Sequence, residues 1–102
     1  MREILQSVFP ELVPLVRKRD LELQDAVYDE RSFGNAYVDY SGPGFRIRAT
    51  RDRGERWLDI ARPGGDWKQA PAVLGARQVQ DFATLVAMID AEFDSIPKLL
   101  AS

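Results

Sequence analysis

Residues 45–62 read FRIRATRDRGERWLDIAR. Phe45, Ile47 and Ala49 alternate with Arg46, Arg48 and Thr50, and Leu58 and Ile60 alternate with Trp57 and Asp59. A period of two marks a half-buried strand, so the stretch reads as two strands folded back at Arg53-Gly54. Six of its residues are arginine, which raises the question of what so many cations face. A one-residue slip would move every side chain to the opposite face, so the apolar positions constrain the register. Ile47 opposite Ile60 sets Ala49 opposite Leu58 and leaves an even loop, Arg53-Gly54 or Asp52 to Glu55.

Upstream, Ala36 to Tyr40 form the preceding strand, with Ser41-Gly42-Pro43-Gly44 as the connecting turn. Val38 opposite Ile47 places Tyr40 against Phe45 and Ala36 against Ala49. One face then carries Ala36, Val38, Tyr40, Phe45, Ile47, Ala49, Leu58 and Ile60. The other carries Asp39 opposite Arg46, Arg48 between Tyr37 and Asp59, and Thr50 facing Trp57. Cross-strand pairs of opposite charge contribute roughly 0.2–1 kcal/mol each. Leu21 to Asp29 form the first strand with broken alternation. Leu21, Leu23 and Val27 share a face with Asp25, while Ala26 and Tyr28 share the other, as expected of a bulge or an edge position. Glu30 to Asn35 is a loop with Gly34-Asn35 as its turn signal.

Helical periods flank the strands. Residues 2–19 set Ile4, Leu5, Val8, Phe9, Leu12, Val13 and Val16 in one stripe, interrupted by Pro10 and Pro14. Proline lacks a backbone donor and crowds the preceding turn, so two short helical pieces or one kinked helix are expected. Arg17, Lys18 and Arg19 then sit where positive charge suits a helix C-terminus. After Arg62, Pro63-Gly64-Gly65-Asp66 ends the sheet; Asp66 is a candidate cap, and Pro71 a candidate helix start stopped by Gly75. From Gln78 to Phe93, Val79, Phe82, Val86, Ile89 and Phe93 line one helical face, with Asp81, Asp90, Glu92 and Asp94 expected in solvent. Ile96, Leu99 and Leu100 extend it past Pro97. The expected fold is a single α+β domain over 1–102: an N-terminal kinked helix, a four-stranded antiparallel meander and a C-terminal amphipathic helix, with the helices packed on one face of the sheet.

Composition narrows the chemistry. The chain has 102 residues, 45% of them hydrophobic and 29% charged, the balance of a globular domain. A net charge of −2 supplies no global attraction to nucleic acid or anionic membrane. Neither cysteine nor histidine occurs, which removes disulfides, thiolate chemistry, the usual general base and the commonest metal ligand. The N-terminus lacks the long apolar core of a signal peptide and no run reaches transmembrane length, so the cytoplasm is the expected compartment. Lys18, Lys68 and Lys98 stand in no recognisable motif. Asp25, Asp29 and Glu30 lack the spacing of a calcium loop, and neither Gly42–Gly44 nor Gly64-Gly65 leads into the lysine and helix of a phosphate loop. No enzyme, cofactor or metal is expected.

Binding remains. Trp, Tyr and Arg are enriched in hot spots, which makes Tyr37, Arg46, Arg48, Trp57 and Asp59 the candidate partner-binding group. The competing reading folds Trp67 and the Pro71–Leu74 segment over this face and buries Trp57. The arginines with Tyr37 and Trp57 also suggest a sheet that tracks phosphates and stacks bases, but Asp39, Asp52, Glu55 and Asp59 nearly neutralise them.

Ser32-Phe33-Gly34-Asn35, Phe45-Arg46-Ile47-Arg48, Arg51-Asp52-Arg53-Gly54 and Trp57-Leu58-Asp59-Ile60 carry a resemblance. About a third of the chain, roughly Ser32 to Ile60, resembles small, mostly uncharacterised bacterial proteins that share an F-G-N loop, an R-x-R strand and an R-D-R-G turn. Some of these resemble immunity proteins, which neutralise a cognate toxin by occluding it. The resemblance implies a non-catalytic protein-binding module with a toxin as partner, and it brings no catalytic residues. The alternatives are a nucleic-acid-binding module using the third and fourth strands, and a structural subunit or homodimer joined across an exposed sheet edge.

Overall fold

The arginine-rich hairpin lies at the heart of a five-stranded antiparallel sheet in a computed structural model that describes residues 2–29, 31 and 34–101. Helix α1 (Arg2–Val8), a 3-10 turn (Pro10–Leu12) and helix α2 (Val13–Arg19) precede the strands. The strands β1 (Glu22–Asp29), β2 (Asn35–Gly42), β3 (Phe45–Asp52), β4 (Glu55–Ala61) and β5 (Lys68–Gln69) lie in sequence order. Helices α3 (Ala70–Val73), α4 (Phe82–Ala91) and α5 (Ile96–Ala101) complete the chain, with a 3-10 turn at Phe93–Ser95. Glu30, Ser32 and Phe33 lie outside the described residues, as does the side chain of Ile4.

The α+β architecture follows the periodicities. Pro10 and Pro14 break the N-terminal stripe between α1 and α2: Pro10 opens the intervening 3-10 turn and Pro14 lies in the first turn of α2, positions that need no donor. The β3–β4 register is the expected one, Ile47 to Ile60 and Ala49 to Leu58, closed by the two-residue turn Arg53-Gly54. Both turn residues have positive φ, 52° and 85°, which matches the right-handed twist of the strands.

The β2–β3 register is shifted two residues from the expected one. Tyr40, not Val38, lies opposite Ile47, and Val38 lies opposite Ala49. The loop is Pro43-Gly44 alone: Pro43 fixes its own φ and Gly44 takes φ 83°, so Ser41 and Gly42 stay in the ladder. An even shift leaves every side chain on its expected face but changes the charge partners, so Asp39 meets Arg48 rather than Arg46.

The broken alternation of β1 has both expected causes. β1 is an edge strand, and its register slips between Leu23 and Asp25. The extra residue puts Leu23 on the face of Ala26 and Tyr28, and Asp25 on that of Val27 and Asp29.

All the main helices cover one face. Phe9, Leu12, Val38, Phe45, Ile47, Leu58, Ile60, Ile89 and Ile96 are almost fully buried between helices and sheet. Phe9 stacks on Phe82 at 5.8 Å between ring centroids, and Phe45 meets Phe93 edge-on at 5.1 Å. Helix α4 starts four residues later than the periodicity suggests, because the Asp81 carboxylate accepts hydrogen bonds from the Thr84 N–H and hydroxyl. Val79 still packs against the core from outside the helix. Asp90 is not simply solvated: it accepts from Lys18 and Arg19, each at 2.9 Å. Lys18 and Arg19 of the basic triplet thus tie α2 to α4, and Arg19 also lies over the Phe93 ring. Asp66 caps no helix; Lys68–Gln69 pairs with β4 as a short fifth strand. Pro71 opens α3, and Gly75 follows its end at φ 68°.

Candidate functional site

The outer face of the sheet is built in cross-strand rows. The first runs Asp25, Asp39, Arg48, Asp59 and Gln69 across all five strands. Arg48 donates to both Asp39 oxygens at 2.6 and 2.8 Å, a bidentate pair in which Asp39 is buried. The guanidinium is held between two rings, 4.4 Å from the centroid of Tyr37 and 4.7 Å from that of Trp67. The bond to Asp39 raises the Arg48 pKa further above its already high ordinary value. Asp59 behaves in the opposite sense for a carboxylate. Burial pushes its pKa up, and this outweighs hydrogen bonding from Trp57 and the charge of Arg48.

Arg46 lies beside this row and serves the backbone. It donates to the Arg62 and Gly65 carbonyls and lies under Trp67 at 4.5 Å. Trp67 therefore covers Arg46 and Arg48, as one of the two competing readings required, but it does not cover Trp57.

The next row reads Val27, Tyr37, Thr50 and Trp57 across four strands. Val27 and Trp57, at its ends, are 43% and 37% exposed, and Tyr37 and Thr50 between them are partly exposed. The Tyr37 hydroxyl donates to Asp25 at 2.7 Å, and this bond raises the phenol above its ordinary pKa. Beyond the row stand Asp29 beside Asn35, then Asp52 beside Glu55. An apolar and aromatic band is thus bracketed by carboxylates on both sides. A groove of about 550 Å³ opens beside Trp57 where β5 stops short, lined by Trp57, Gln69, Pro71, Ala72, Arg77 and Val79.

The candidate group is unevenly engaged. All five lie on the outer face, but Arg46 and Arg48 are bonded to carbonyls and Asp39 and covered by Trp67, which leaves Tyr37, Trp57 and Asp59 as the less engaged members. Thr50, expected opposite Trp57, and Val27 complete the band. Val27 was missed, because its place depends on the β1–β2 register, which the bulge hides in the sequence.

The other arginines of the hairpin do not share a face with these. Arg51 and Arg56 lie opposite each other on the helix side. Arg51 donates to the Gly34 carbonyl from two nitrogens, at 3.0 and 2.7 Å. Arg56 grips Glu11 with two nitrogens, donates to the Val8 carbonyl at 3.0 Å and lies over the Phe82 ring. Each cation is satisfied within the molecule, which is why two like charges tolerate direct opposition. Among the described residues no group of acidic side chains stands where it could hold a metal ion, and no helix is long and apolar enough to cross a membrane.

Compared with protein-family models, curated proteins and solved structures, the chain matches none of them.

Proposed function

We propose that this protein is a non-catalytic protein-binding module of the toxin-neutralising, immunity kind, which presents the outer face of its sheet to the partner. The observation that carries the reading is the band Val27, Tyr37, Thr50 and Trp57, open between two acidic rows. Aromatic side chains on a rigid sheet offer contact area at low cost in conformational entropy, the usual centre of a hot spot. The surrounding carboxylates favour a cationic partner and discourage nucleic acid, whose phosphates they would repel. Engagement of Arg46, Arg48, Arg51 and Arg56 with partners in the molecule weighs in the same direction, because Arg51 and Arg56 face the helices and Arg46 and Arg48 are held by carbonyls and Asp39. The immunity assignment rests on the sequence resemblance; the binding face rests on the geometry.

Affinity capture with wild type and Trp57→Ala as baits tests the face. Both variants should give the same circular dichroism, because Trp57 lies outside the core. Wild type should retain a discrete protein that Trp57→Ala loses and that Glu92→Gln, on the helical side, keeps. Equal retention by all three baits would remove Trp57 from the site.

A further inference from the structure

We propose that the free edge of β1 is a strand-addition site for an extended, cationic segment of the partner protein. The inference deepens the reading of the molecule as a protein-binding module and rests on it. β1 ends the sheet, and among the described residues no strand pairs with its outer side. Seven of its eight residues are exposed, including Leu23, Val27 and Tyr28.

The backbone parity of that edge follows from the β2–β3 hairpin. A two-residue turn closes on a hydrogen-bonded pair, here Gly42 and Phe45, and bonded pairs alternate from there. Val38 and Ala36 therefore turn their backbone groups toward β3, while Tyr37 turns toward β1. Val27, opposite Tyr37, uses its groups within the sheet, and Ala26 and Tyr28 present theirs to the outside. The Ala26 N–H fits this assignment, since it is bonded not to a strand but to the Asp25 carboxylate at 2.9 Å.

Charge selects the occupant. β1 holds Glu22, Asp25 and Asp29 and no cation. The bonds to Asp25 come from neutral donors, the Ala26 N–H and the Tyr37 hydroxyl, and Arg48, which spends its hydrogen bonds on Asp39, acts on it only through space. A second copy of β1 would bring only further carboxylates and no cation to the edge, and like charges on paired strands are destabilising. The bulge and the Asp25 cap further discourage indiscriminate pairing. A strand carrying Lys or Arg turns the same carboxylates into attractive partners, and its alternate side chains reach the Val27–Tyr37 band. The edge thus rejects its own kind and accepts a cationic one.

Selection from a random-peptide display library against the immobilised full chain tests this. The expected winners alternate Lys or Arg with apolar residues. Bound to the protein, they should slow hydrogen exchange at the Tyr28 amide, a readout that needs no variant. Compared with Tyr28→Ala, Tyr28→Pro additionally removes an outward N–H and fixes φ, at a position where an edge strand tolerates proline. It should weaken those peptides at least about tenfold relative to Tyr28→Ala, which keeps the backbone donor. Winners without cationic alternation, no protection at Tyr28, or equal binding by the Pro and Ala variants would overturn the proposal. So would concentration-dependent self-association of wild type that Tyr28→Pro abolishes, since the edge would then belong to a second copy. Peptides lost with Trp57→Ala but indifferent to Tyr28→Pro would overturn the edge and leave the outer-face reading standing. Peptides sensitive only to Tyr28→Pro would do the reverse.

Discussion

Gly34 has two reasons to be glycine. Its φ is +71°, and a Cβ there would lie 2.6 Å from an Arg51 guanidinium nitrogen. That nitrogen is held by the Gly34 carbonyl itself, so the close approach and the hydrogen bond are one arrangement. Next to it, the Asn35 side-chain oxygen accepts from the Arg53 N–H at 2.9 Å. The G-N and R-D-R-G motifs, separate in the sequence, therefore lock a loop to a turn. Gly34→Ala should cost roughly 1–3 kcal/mol, the sum of left-handed strain and a displaced Arg51, read from the urea midpoint at unchanged slope. The turn glycine was legible from composition; the Arg51 contact was not, because it depends on a loop folding back over a strand end. Asp39 is a second such residue. Asp39→Asn leaves Arg48 between two rings without its carboxylate, and should destabilise by about 2–3 kcal/mol in the same measurement.

At the scale of elements, patterns repeated over several residues were legible and singular events were not. Alternation through β3 and β4 identified both strands and their pairing, because apolar matching admits few even registers. It could not separate the two-residue loop at Pro43-Gly44 from a four-residue one, since both put the same side chains inward. The error changed cross-strand partners and no faces, and it mattered most for the charged partners, which is where the candidate site lay. β5 escaped because two residues carry no period, and its strand character comes from pairing with β4. The start of α4 escaped because Val79 is apolar and correctly spaced, yet packs from the loop. Asp81 followed by Thr84 was the available signal, a side-chain cap immediately before the helix. Asp81→Ala should remove it and lower the thermal midpoint, while Gln80→Ala, one residue earlier, should leave that midpoint within error. Equal effects of the two would place the helix start elsewhere.

The whole molecule is joined at one point that the sequence concealed. Arg56 on β4 meets Glu11 and the Val8 carbonyl from the N-terminal segment and the Phe82 ring of α4. Three parts of the chain, reaching from Val8 to Phe82, converge on one guanidinium. Read from the hairpin alone, Arg56 is one more cation facing Arg51; only the packed helices supply its partner. The Arg56 bond holds the Glu11 carboxyl below its ordinary pKa of 4.5, and that sets the sign of the pH dependence. A carboxylate with a lowered folded pKa stabilises the fold above its unfolded pKa, and the contribution fades as pH falls toward the folded value. Asp59, raised by burial, works the other way: its ionisation weakens the fold as pH rises above 3.8. Bulk acid titration mixes the two, so the contribution of Glu11 must be read as a difference. Glu11→Gln should be less stable than wild type by about 1–2 kcal/mol at neutral pH, the range of a bidentate, partly covered ion pair. That gap should start to narrow as pH falls below 4.5 and close only past the lowered pKa of the folded wild-type carboxyl, where it too becomes neutral. A gap that stays constant across the acid limb would mean that the shape of Glu11, not its charge, holds the N-terminal helices to the sheet.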